Sequence, residues 1–193
     1  MKINQMIQVS IFAVLTAVGA RLMIPIPFVP FTLQTLVCIS AGLLLGAKLG
    51  AASQALYLIM GLIGIPVFTA ASGPAAVLMP SFGYAVGFIP GAWLAGFIAE
   101  RFRAEYGTVT KRQYFTASLA GTLVIYAIGL SYLYAALNLW VNKGGAAFMT
   151  VISIGFLSTI GGDLVKCLLA SALAERLQQT GLFAIMTQRA EKR

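Results

Sequence analysis

Asp163 and Lys166 stand three residues apart in the stretch Gly-Gly-Asp-Leu-Val-Lys, inside an otherwise apolar part of this chain. On a helix that spacing is close to one turn, so carboxylate and ammonium share a face. An unpaired carboxylate at membrane depth costs at least about 2.5 kcal/mol on insertion scales, so Asp163 needs company, and Lys166 is the obvious partner. Two readings stand. The pair neutralises itself and helps the chain fold, or it recognises something: acceptor oxygens beside ammonium donors suit a small ligand with both N–H groups and a carbonyl or carboxylate. Apolar residues at both positions would avoid the desolvation altogether, which favours recognition.

Further polar groups are expected toward the same, outer side of the membrane. Gln34 offers an amide donor and acceptor and Thr32 a hydroxyl, each able to serve a ligand or a neighbouring helix. Tyr84 lines a cavity or joins an interfacial aromatic belt with Tyr57, Trp93 and Trp140. Arg21 is expected to snorkel to the outer surface, with attraction of an anion as its other reading. Enzyme parts are missing: the chain has no histidine, hence neither the commonest metal ligand nor the commonest general base. Gly42–Lys48, GLLLGAK, lacks the spacing of a phosphate loop and is followed by Leu49 rather than Ser or Thr. No metal, cofactor or catalytic residue is expected, and Cys38 and Cys167 read as small core hydrophobes.

The elements that must position these groups follow from composition. Of 193 residues 60% are hydrophobic and 9% charged, and mean hydropathy is +0.92. A soluble domain carries about a quarter charged residues. The chain therefore reads as an all-α integral membrane protein, since the alternation of barrel strands is absent. The net charge of +8 is scattered through the gaps between apolar runs, which argues against nucleic acid. The first apolar run, from Ile7 to Ala20, has the outline of a secretory signal but reads as a first transmembrane helix.

Apolar runs cover 6–23, 31–46, 49–66, 83–99, 114–137 and 146–176. The last would make a helix of about 46 Å, half again the roughly 30 Å hydrocarbon core. The spacing predicts a break at Gly161-Gly162, a re-entrant or surface-lying segment over 146–160, and a sixth span over 162–178 with Asp163 in its first turn, at the positive end of the helix dipole. The expectation is a six-helix transmembrane bundle forming one membrane-embedded domain over 1–193. Counting basic residues places both termini in the cytoplasm, with ten of the thirteen Lys and Arg on that side.

Two outer connections stand out. Ile24–Pro30 has three prolines in seven residues and cannot be helical throughout. Gly64–Phe82 mixes Gly, Pro, Ala and Ser with Val67, Phe68, Val77 and Leu78, and is expected to fold onto the bundle as a lid. Small residues recur at helix-contact spacing: Ala13 and Ala17, Gly42 and Gly46, and Gly83, Gly87 and Gly91. The glycines read as internal packing; Ala13 and Ala17 read equally as packing or as a partner contact.

The runs IPIPFVPFTLQTL, GLLLGAKLGAASQALYLIMGLIGIPVF, FGYAVGF and GGDLVK together resemble the BioY family, the biotin-binding S-components of energy-coupling-factor transporters, from about residue 8 to 178. The resemblance implies a substrate-capture subunit in the plasma membrane of a bacterium or archaeon, not an enzyme itself. It would bind biotin near the outer face and work with a transmembrane coupling protein and two cytoplasmic ATPases. It also implies ligand contacts at Asp163 and Lys166, with Thr32, Gln34 and Tyr84 in the pocket, Phe68 as an apolar wall, and Ala13 and Ala17 facing the coupling protein. The chain has Gly161 where the family often has Pro, and Pro80-Ser81-Phe82-Gly83-Tyr84 where it often has Pro-Thr-Gly-Gly-Tyr. The rival reading is a self-sufficient ion-coupled secondary carrier or channel with Asp163 coupling solute to ions. That reading calls for inverted repeats and paired broken helices, and the sequence offers one clear break.

Overall fold

The structure, a computed structural model, describes residues 2–141 and 148–180. Helix α1 (Ile3–Arg21) leads into a two-stranded antiparallel ribbon, β1 (Met23–Ile24) and β2 (Phe31–Thr32), in which Met23 faces Thr32 and Ile24 faces Phe31. Helices α2 (Gln34–Leu45), α3 (Ala47–Leu62), α4 (Phe82–Tyr106) and α5 (Lys111–Ala136) follow, then α6 (Phe148–Ile152) and α7 (Ser158–Gln179). A short 3-10 turn, Pro74–Leu78, lies between α3 and α4, and π-helical turns extend α5 over Leu137–Val141 and join α6 to α7 over Ser153–Leu157.

The ribbon holds the only strands among the described residues. Pro25, Pro27 and Pro30 keep this connection out of helix, and Phe28 turns it with a positive φ of 65°. Among the described residues, four helical stretches are long and apolar enough to cross a membrane: α1, α4, Lys111–Val141 and Phe148–Gln179. Helices α2 and α3 have 12 and 16 residues, about 18 and 24 Å of rise. They are shorter than the sequence runs because residues 31–32 join the ribbon and 63–66 turn into the lid.

The expected break at Gly161-Gly162 is not there. Both glycines lie inside α7, so Asp163 stands in its second turn rather than its first. Residues 148–160 are helical and run into α7; residues 146 and 147 lie outside the described residues. The irregularity falls earlier, in the π turn Ser153–Leu157. A π turn widens the helix by one residue without ending it, so α6 runs on into α7.

Glycine lets the helix backbones meet. A Cβ at Gly42 would lie 2.3 Å from the Ala92 carbonyl oxygen, and one at Gly91 would lie 2.5 Å from Ile125 Cγ1. Without a water-driven hydrophobic force in lipid, such close approach is what holds helices together. Helix α4 packs on α2, α3 and α5; α7 packs on α2 and α5; α1 lies against α2 and α3. Cys38 and Cys167 are buried and unbridged.

Helices α2 and α3 are joined by Gly46 alone, at φ 84°, a left-handed conformation natural to glycine. Glu100 Oε1 accepts the Ala47 N–H at 3.0 Å and Glu175 Oε1 accepts the Lys111 N–H at 2.9 Å, so both acids cap helix starts. Lys48, Arg101, Lys111, Arg112 and Arg176 gather at this same end of the helices. The Asp163–Lys166 pair belongs to the other end.

Candidate ligand-binding site

Three segments converge on one cavity: the ribbon with the start of α2, the lid with the start of α4, and the middle of α5 with the first turns of α7. Asp163, Lys166, Gln34, Thr32, Tyr84 and Phe68 all line it.

Asp163 and Lys166 form a buried ion pair, Oδ1 to Nζ 2.7 Å. Lys166, 4% exposed, also donates to the Thr32 carbonyl at 2.5 Å and stands 3.6 Å above the Phe31 ring centre. Its three protons thus have a carboxylate, a carbonyl and an aromatic face. The other carboxylate oxygen of Asp163 accepts the Tyr126 hydroxyl, which also contacts Thr159 Oγ1 at 2.8 Å. The pair is held by side chains of α5 and by the ribbon, not by a helix dipole.

Gln34 links two helices. Its Nε2 donates to the Tyr57 oxygen at 2.5 Å, and its Oε1 accepts the Thr32 hydroxyl at 3.0 Å. Tyr84 donates to the Gly155 carbonyl at 2.9 Å, inside the π turn Ser153–Leu157. Tyr57 is fully buried and meets Phe68 edge to face at 5.4 Å, so its expected place in an interfacial belt is corrected to a place in the cavity wall. Trp93 is exposed and stacks on Phe97.

The lid closes over the Phe68 side. Phe68 and Ala76 turn inward and are buried, while Val77 and Leu78, expected to fold in with them, remain exposed. Trp140 Nε1 donates to the Leu78 carbonyl at 2.8 Å and the Tyr132 hydroxyl donates to that of Val77, which ties the lid to the end of α5. Arg21 donates to the Pro66 carbonyl, so it serves the lid's root.

Ala13 does not face outward. It is fully buried in the chain's own core, with Ala17 packed half-buried beside it, and these small side chains let α1 lie close on its neighbours. Next to them Thr16 and Gln54 share a buried hydrogen bond between α1 and α3. The face of α1 that remains open carries Met6, Ile7, Ile11, Val14, Leu15 and Val18.

Sequence reasoning missed Phe31, Tyr126 and Thr159 as cavity residues. Tyr126 did carry a signal: it stands mid-run in LVIYAIGL, where a phenol far from either interface needs a partner. Among the described residues no three of His, Cys, Asp and Glu gather as a metal site.

The sequence profile of the BioY family matches residues 1–182. A protein of Lysinibacillus sphaericus named as a probable biotin transporter BioY is 41% identical, the match covering 89% of this chain and 85% of that one. The biotin transporter BioY of Thermotoga maritima is 36% identical over 91% of this chain and 96% of its own. A crystal structure of the S-component for biotin from an ECF-type ABC transporter superposes with a TM-score of 0.76 at 28% identity, covering 93% of this chain and 95% of that one.

Proposed function

This chain belongs to the BioY family, and from that premise we propose that it is the biotin-capture subunit of an ECF-type importer. The observation that carries the reading is a desolvated acid–base pair set into the wall of an otherwise largely apolar cavity. The ureido ring of biotin has two N–H donors and a carbonyl, and Asp163 is a buried carboxylate with lone pairs left beyond those used by Lys166 and Tyr126. Phe68, Phe88 and Ile125 are apolar walls suited to the sulfur-containing ring and the aliphatic tail. Thr32, Gln34 and Tyr84 act on the ligand or brace the residues that do.

The same reading gives six crossings, α1 to α5 and α7, in one membrane-embedded domain, with the amino and carboxyl termini cytoplasmic and the cavity toward the outside. The chain then performs no chemistry itself. A transmembrane coupling protein and two ATPase subunits supply the work, and the coupling protein meets the open aliphatic face of α1. Equilibrium titration of the purified chain with biotin tests the core of this: tight, saturable binding is expected, and no binding overturns it. Vesicles carrying the chain without ATPase subunits are expected to bind biotin without accumulating it; accumulation driven by an ion gradient would replace this reading with the ion-coupled carrier.

A further inference from the structure

We propose that Gly162 is a positioning residue for ligand recognition, acting through Phe31, a cavity residue that belongs to the recognition machinery; the inference rests on the biotin-capture reading. Gly162 has no side chain at the one place on α7 where the Phe31 ring lies down. A Cβ built there would fall 2.3 Å from Phe31 Cζ and 2.4 Å from Cε2, closer than carbon atoms pack. The ring so seated forms part of the cavity wall and presents its face to the Lys166 ammonium, 3.6 Å from ring centre to Nζ. It is therefore one of three groups, with the Thr32 carbonyl and Asp163, that hold the ammonium in place. A ring lifted off α7 would both narrow the cavity and leave the ammonium with one partner fewer in a site where water is scarce.

Two other cavity aromatics rest on glycine in the same way. A Cβ at Gly61 would strike the Phe68 ring at 2.0 Å, and one at Gly129 the Tyr84 ring at 2.5 Å. Gly162 is the informative case because its neighbour is a built-in control: a Cβ at Gly161 meets nothing within 4 Å. Alanine also favours helix over glycine, so helix propensity alone would make both substitutions harmless.

The test is a double-mutant cycle on the full-length purified chain, reading biotin affinity and thermal midpoint for Gly161→Ala, Gly162→Ala, Phe31→Ala and Phe31→Ala with Gly162→Ala. One methyl group forced into a fitted cavity changes binding about tenfold or more. Gly162→Ala is expected to lose at least that, Gly161→Ala nothing, and the double variant no more than Phe31→Ala alone, since the clash vanishes with the ring. Full affinity in Gly162→Ala, equal losses at both glycines, or losses at Phe31 and Gly162 that add would each overturn the inference. If Gly162→Ala cannot be recovered folded, recovery of the double variant at the affinity of Phe31→Ala supports the seat, and failure of both overturns it. A wild-type chain that does not bind biotin refutes the functional reading instead.

Discussion

Asp163 and Lys166 are a structural commitment, a buried ion pair, and on the proposed reading a recognition group as well. Each is at least nine-tenths buried, and removing one partner of such a pair leaves an uncompensated charge at a cost of about 3 kcal/mol or more. Asp163→Asn is therefore expected to lower the thermal midpoint and to weaken biotin binding about a hundredfold. Asp163→Asn combined with Lys166→Met removes both charges and is expected to recover stability but not affinity. If calorimetry shows the double variant binding like wild type, the pair serves folding alone. The pair was legible in the sequence because charge inside an apolar run is rare and local. Its surroundings were not: the Thr32 carbonyl that holds Lys166 lies 134 positions away, and no local pattern announces a contact made only by the folded chain.

At the scale of elements, membrane helices were legible from hydropathy, and the proline-rich connection from the backbone limits of proline. The π turns were not, because one extra residue in a helical turn leaves no mark in composition. Their effect is considerable: the turn over Ser153–Leu157 joins α6 to α7 and supplies the carbonyl that holds Tyr84. The π turn that ends α5 carries Trp140 to the lid. Tyr132→Phe and Trp140→Phe each delete one hydrogen bond to the lid, a loss of about 1 kcal/mol, so release of bound biotin should quicken roughly fivefold in either variant. A chase of labelled biotin measures this directly. Unaltered release would mean that other contacts govern the lid.

Across the whole molecule, basic side chains and helix-capping acids occupy one end and the cavity the other. Orientation is open to direct measurement because Cys38 and Cys167, the two cysteines of the chain, are buried at 0% and 1% exposure, so that a single introduced cysteine reports alone. Lys111→Cys is expected to react with an impermeant thiol reagent only from the cytoplasmic side, and Ala75→Cys in the lid only from outside. Labelling of both from one side would refute the proposed topology. The two ends are nonetheless mechanically joined. Gly46 is the sole residue between α2 and α3, with Glu100 pressed against it; from this vertex one helix runs to Gln34 at its far tip and the other carries Tyr57 toward its own. A methyl group at the vertex would meet both the left-handed backbone and the Glu100 carboxylate, 2.0 Å away, and is expected to shift the two helices. Gly46→Ala should accordingly weaken vitamin binding from the far side of the bilayer, with no substitution near the ligand itself; unchanged affinity would show that the vertex yields without moving its tips.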